Sequence, residues 1–181
     1  MRAQMERYDK LRERVIVDSR SILKGSKKAI YAAHRGELAQ ATKLLETAKK
    51  AIAKVDELVS HSPALATTGA YSDALEEYAE AALYIHYLKT KKIATPTQIG
   101  AHMDVYLPAL SDLTGELVRK AINSSVAGDH ETAFEIKDVV DAIYAELMLF
   151  DWRNSPVRRK FDAIKYNLEK LEDLALKIRF K

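Results

Sequence analysis

No proline occurs before Pro63, and only four prolines and six glycines interrupt the whole chain of 181 residues. Prolines and glycines are the strongest local breakers of regular structure, so their scarcity leaves room for long helices and little for the turns of a β-protein. The breaks that do occur are Gly25, Gly36, SHSP at 60–63, TTGAYS at 67–72, ATPTQIG at 94–100, Pro108, VAGD at 126–129 and WRNSP at 152–156. Between them the apolar residues recur at helical spacing, which predicts helices over about 4–35, 37–60, 69–91, 96–103, 105–126, 130–150 and 156–179. Two starts are strongly signalled. Thr95-Pro96 with Gln98 offers a cap, a proline in the first turn and a capping box, and Ser155-Pro156 repeats the cap and proline. No β-hairpin signal and no fixed-period repeat is present. The expected fold class is all-α, a seven-helix bundle of six long helices and one short, in a single domain over 1–181.

Composition narrows the chemistry. The chain is 48% hydrophobic and 30% charged, as a folded protein with a core is. It has no cysteine, so disulfides and thiolate metal sites are excluded. No apolar run approaches the roughly 20 residues of a membrane-spanning helix, and the charged N-terminal stretch lacks a signal-type apolar core, so a cytoplasmic protein with no membrane partner is the expectation. A net charge of +3 does not by itself announce nucleic acid, and the distribution of charge carries the information instead.

Two stretches place carboxylates in apolar surroundings. In LEEYAEAALYIHYL (75–88), every residue from Ala79 to Leu88 is apolar, aromatic or histidine except Glu80. Glu77 and Glu80 are three apart and so are neighbours on one helix face, with Asp73 and Glu76 on or beside it and Tyr84 and Tyr87 further along. In LSDLTGELV (110–118), Asp112 and Glu116 are four apart and stack one turn above the other, and Arg119 and Asn123 continue their stripe while Leu110, Leu113 and Leu117 point elsewhere. An isolated buried carboxylate is costly, and a cation relieves the cost. Oxygen-only donors suit Mg²⁺ or Mn²⁺, ions that activate water and stabilise a phosphodiester transition state. The plain alternative is an ordinary solvated face, or ion pairing with Arg119 and nearby lysines. A di-iron site would need a Glu-x-x-His on two helices, and His86, six residues beyond Glu80, is on another face.

A basic stripe faces the opposite chemistry. Arg20, Lys24, Lys27, Lys28 and Arg35 fall within roughly 100° on the wheel of the first helix, with Tyr31 and His34 in or next to them. Leu11, Val15, Ile22, Ala29 and Ala33 occupy the other side. Cations interleaved with an aromatic ring suit a phosphate backbone and unstacked bases; a solvated lysine face is the plain alternative.

Several segments resemble a known family. DLTGELVRKAINSSVAGDHETAFEI (112–136) is similar to the signature region of the translin family, in its translin-associated factor X branch. EYAEA (77–81), SKKAIYAAHR (26–35) and KFDAIKYNLEKLEDLALKIR (160–179) resemble the branch's acidic third helix, first helix and last helix, and the likeness runs over about 7–180, more loosely in the second helix. The resemblance implies a seven-helix protomer assembling into a hollow octamer, binding of single-stranded RNA or DNA, and metal-dependent endonuclease cleavage of RNA. Matched by position, it implies that Glu77, Glu80, Asp112 and Glu116 are the catalytic and metal-binding carboxylates. Translin, the non-catalytic partner in that family, lacks this acidic set. The absence of a long insertion between the third and fifth helices fits a compact prokaryotic or archaeal form assembling with itself as a homo-oligomer.

The functional expectation is a Mg²⁺- or Mn²⁺-dependent endoribonuclease acting on single-stranded RNA. Arg20, Lys24, Lys27, Lys28 and Arg35 guide the strand, and Arg119 contacts phosphate or, as its plain alternative, pairs with Glu116. The rivals are a non-catalytic single-strand binding protein, a nucleotide pyrophosphohydrolase with paired acidic helices, and a purely structural helical assembly. Leu147, Leu149, Phe150 and Trp152 suggest an interface, or else core packing of the sixth helix.

Overall fold

The computed structural model of the protein describes residues 1–60 and 62–180; His61 of the SHSP break and Lys181 lie outside the described residues. Among the described residues seven α-helices run in order: α1 (Arg2–His34), α2 (Leu38–Ser60), α3 (Gly69–Thr90), α4 (Pro96–Ile99), α5 (Met103–Val126), α6 (His130–Leu147) and α7 (Pro156–Arg179). Among the described residues there is no strand, and no helix is long and apolar enough to cross a membrane. The all-α expectation of six long helices and one short one holds.

The helix ends follow the local chemistry. Thr95 closes the expected capping box, its hydroxyl accepting from the Gln98 N–H while the Gln98 side chain accepts from the Thr95 N–H. Ser155 caps α7 by accepting from the Arg158 N–H. Two expected ends were too late. The fourth helix stops at Ile99 rather than 103, because Gly100 turns into the left-handed region at φ +70°. The sixth stops at Leu147 rather than 150, where the Trp152 indole N–H donates to the Leu147 carbonyl at 2.8 Å and turns the chain back. Pro63–Thr67, read only as a break, forms a short 3-10 turn that buries Leu65 completely.

The chain divides into two compact units, Met1–Tyr106 and Leu107–Lys181. In the first, α1 packs on both α2 and α3. Its core joins Val15 and Ile22 of α1, Ala48 and Val55 of α2, Leu65, and Tyr71 and Ala74 of α3. The Tyr71 hydroxyl donates to Asp56, tying α3 to α2, and burial together with that carboxylate pushes the phenol far above its usual pKa. In the second unit α6 packs against α7. Ile136, Val140, Ile143 and Leu147 on α6 and Phe161, Ile164, Leu168 and Leu171 on α7 are buried at alternating three- and four-residue spacing, one apolar stripe per helix. The Tyr144 and Phe161 rings stack across the pair at 5.4 Å.

The suggested interface residues divide. Leu147 is 2% exposed and closes the α6 stripe, and Trp152 is half-buried against Phe161, so both belong to the packing of this unit. Leu149 and Phe150 lie beyond the helix end and are exposed.

Candidate metal and nucleic-acid site

In the first unit, α1 and α3 run in the same direction with a fixed register. Lys27 Nζ lies 3.5 Å from Glu77 Oε2, and seven residues further along both helices His34 Nδ1 meets the Tyr84 hydroxyl at 3.0 Å. The intervening turns hold Ile30 and Tyr31 on α1 and Glu80 and Ala81 on α3. Ile30 and Ala81 are buried, whereas Tyr31 is exposed and Glu80 half-buried, so the seam has a core flank and an open flank. Glu80 therefore lies between the two contacts, on α3 beside the basic helix. The sequence lacked a basic neighbour for this pair; the fold supplies one from α1, at Glu77.

All five cations of the α1 stripe are exposed. From Arg20 to Arg35 the stripe runs about 22 Å along the helix at 1.5 Å per residue. Val15, Ile22, Ala29 and Ala33 are buried on its opposite side, as the wheel requires. Arg35 is engaged at one end of the stripe. Its Nε and Nη2 donate to Glu37 at 2.9 and 2.7 Å, a hydrogen-bonded pair that raises the arginine pKa and lowers that of Glu37.

In the second unit, Asp112 accepts from Lys160 Nζ on α7 at 2.7 Å. Glu116 pairs with Arg119 one turn along α5 at 3.9 Å, the alternative weighed for Arg119. The motif between them is anchored from α7 as well. Asn167 donates to the buried Thr114 hydroxyl at 2.8 Å, and that hydroxyl donates to the Ser111 carbonyl at 2.7 Å. A Cβ at Gly115 would meet the Asn167 amide at 3.9 Å, an ordinary contact, so packing does not demand glycine there.

Each unit thus carries one of the two carboxylate pairs, with a basic side chain from a second helix against one acid of it. Within either unit, among the described residues, no three carboxylate or imidazole groups gather to hold an ion. The donors are all oxygen, which fits a hard divalent cation and no softer metal. Sequence reasoning missed Lys160 and Asn167. Both lie on the α7 stripe that holds Ile164 and Leu171, seven residues apart, and polar side chains in an apolar phase are the signal that could have found them.

Comparison with known proteins agrees with the fold. Translin-associated protein X of Mus musculus is 27% identical over 217 aligned positions, which take in 96% of this chain and 74% of that protein. Translin of Gallus gallus is 27% identical over 107 positions, 51% of this chain and only 47% of its own length, so the match spans about half of that relative. Among solved structures, apo-NeC3PO superposes with a TM-score of 0.87 at 26% identity, covering 96% of this chain and 94% of that one. The AfC3PO–duplex RNA complex superposes at 0.85 with 23% identity, over 99% of this chain and 94% of that one, and shows the shared fold. The Translin family model matches residues 10–181, and the chain belongs to the Translin family.

Proposed function

We propose that this protein is a Mg²⁺- or Mn²⁺-dependent endoribonuclease that acts on single-stranded RNA within a homo-oligomeric shell, an octamer as the family resemblance implies. The observation that carries the reading is the breadth of the likeness to translin-associated protein X, over 96% of this chain, against 51% for translin. The acidic pairs belong to the resemblance with that branch.

In this reading Glu77 and Glu80 in the first unit, and Asp112 and Glu116 in the second, bind the divalent ion or ions, which when bound supply water activation and charge stabilisation at the scissile phosphate. Helix geometry keeps each pair aimed one way: three- and four-residue spacing fixes two carboxylates on one face, and burial of the remaining faces holds the helix rotation. Thr114 and Asn167 fix the turn of α5 that carries Asp112 and Glu116. Arg20, Lys24, Lys27 and Lys28 bind the strand through its phosphates, and exposed Tyr31 offers a stacking face among them. Arg119 contributes a phosphate contact when it leaves Glu116.

A second reading, a non-catalytic RNA- or DNA-binding protein, is favoured by the ion pairs that already satisfy Glu77, Asp112 and Glu116 within this chain. One experiment separates the two. Labelled single-stranded RNA is incubated with the protein in Mg²⁺, in Mn²⁺ and in EDTA, comparing wild type with Glu80→Gln. Duplex RNA runs in parallel, since AfC3PO is known in complex with a duplex. Metal-dependent cleavage that Glu80→Gln abolishes, with binding retained, supports the nuclease. Binding without cleavage in any arm leaves the non-catalytic reading. Native mass spectrometry of the same sample measures the oligomer.

A further inference from the structure

The first unit contains a cavity of about 470 Å³ between α2, α3 and the α4–α5 link. It lies on a different face of α3 from Glu77 and Tyr84, which meet α1. Ile52 and Val59 of α2, Leu75 of α3, Ile99 of α4 and Val105 of α5 supply apolar wall. The volume falls within the roughly 300–1,000 Å³ of small-molecule pockets, which set a few polar groups in apolar walls. None of the four acids lines it, so its role is independent of the nuclease reading.

Helix register places its polar groups. The Tyr71 hydroxyl donates to Asp56, and Lys89 Nζ donates to the Thr42 hydroxyl at 2.7 Å. These two contacts are joined by moving back along α2 and forward along α3, so the two helices are antiparallel. Lys49, midway between Thr42 and Asp56, therefore falls within about a turn of Tyr78, which lies between Tyr71 and Lys89. Asp56, Tyr71, Lys49 and Tyr78 all line the cavity. At one end the acid is engaged, by Tyr71. At the other, among the described residues, neither the Lys49 ammonium nor the Tyr78 hydroxyl has a hydrogen-bond or ion-pair partner. Lys49 is exposed. Tyr78 is half-buried, and burial pushes its phenol pKa up, which keeps the hydroxyl a donor at neutral pH. The cavity thus offers two unengaged donors and an acid that is already served.

We propose that this cavity binds a small apolar monocarboxylate, its hydrocarbon body against the apolar walls and its carboxylate on Lys49 and Tyr78. Two donors suit the two oxygens of one carboxylate, and the bond from the ammonium is charge-assisted. An amine is disfavoured because Asp56 already accepts from Tyr71. A nucleotide is disfavoured because its sugar hydroxyls and base edges would meet apolar wall. Among the described residues Lys49 is also the one lysine or arginine in the lining, too little for a doubly charged phosphate. Burial of the hydrocarbon supplies most of the affinity, about fourfold per methylene group. Ala53, exposed on α2 between Lys49 and Asp56, offers a place to close the cavity without disturbing the core.

The test titrates the intact protein calorimetrically with hexanoate, octanoate and decanoate, and with decylammonium and AMP as the opposed chemistries. Decanoate is expected to bind at one per chain, with affinity rising about fourfold for each methylene added along the series. Lys49→Met is expected to weaken decanoate about fivefold and Tyr78→Phe about threefold, the sizes of an exposed ion pair and a neutral hydrogen bond. Ala53→Trp is expected to abolish binding. Decylammonium and AMP are expected to bind at least about tenfold more weakly than decanoate, since each leaves polar groups unserved. Decanoate that fails to bind, or that binds Lys49→Met and Ala53→Trp as tightly as wild type, overturns the proposal. So does tighter binding of decylammonium or of AMP. Lys49 and Ala53 are exposed and methionine keeps the apolar stem, so a failure of Tyr78→Phe to fold leaves the test standing on the other two variants.

Discussion

The two carboxylate pairs are held in contrasting ways. On α3, Glu77 is the more buried acid, 16% exposed, and its cation sits at 3.5 Å on a mostly solvated lysine. On α5, Asp112 is 36% exposed, but its cation sits at 2.7 Å on a lysine that is itself 31% exposed. One pair has more desolvation and a looser partner; the other has less desolvation and a closer partner. The contrast teaches that a carboxylate's environment is set as much by the helix that reaches it as by its own helix. Both sequences looked alike, acids in an apolar run, and only packing made them different.

The largest effect expected is on chemistry, where the two pairs should behave alike. Glu80→Gln on α3 and Asp112→Asn on α5 should each lower RNA cleavage by at least ~100-fold while leaving RNA affinity in EDTA within about twofold, measured by gel cleavage and anisotropy. Loss from one pair alone would break the symmetry and assign the reaction to a single helix.

Next in size is the basic stripe of α1 in the first unit. Lys24→Ala with Lys28→Ala should make the slope of log affinity against log salt shallower by about 1.4, at roughly 0.7 per phosphate contact on a single strand. An unchanged slope would remove α1 from the RNA track.

Stability without metal sharpens the contrast itself. Lys27→Met removes a cation from the more buried acid and should cost about 1 kcal/mol, whereas Lys160→Met should cost about 0.5 kcal/mol, both read from urea unfolding at neutral pH. The reverse order would mean that distance, not burial, governs these pairs.

Much of this architecture is legible along the chain. The ends of α1, α4 and α5 are written in Gly36, Gly100 and Gly128, each at positive φ, and those of α4 and α7 in their capped prolines. The carboxylate pairs and the buried side of α1 follow from period alone. The ends that depend on a distant donor were not legible: Trp152 closes α6 through a carbonyl five residues back, and no local breaker marks Leu147. Nor were the partners of the acids. Lys160 lies 48 residues from Asp112 and Tyr84 lies 50 residues from His34, and the phase that marks Lys160 on α7 does not say which acid it meets. Helical periodicity says which residues share a face, and it is silent on which helix that face will meet.

An effect of similar size concerns the glycine between the two α5 acids. Gly115→Ala should stabilise the protein by about 0.5–1 kcal/mol, because a mid-helix glycine is costly and the added methyl meets only ordinary contact with Asn167. A loss of cleavage in this variant despite higher stability would mean that substrate approaches the α5 backbone there, a role that the α3 pair, with Ala79 and Ala81 flanking Glu80, does not share.

The central proposal is that each of the two carboxylate pairs binds divalent metal, and the most direct measurement is the anomalous scattering of Mn²⁺ in crystals grown with it. The account predicts anomalous density at the carboxylates of Glu77 and Glu80 and of Asp112 and Glu116, with oxygen ligands at about 2.0–2.2 Å. Crystals with no Mn²⁺ at any of the four would contradict it.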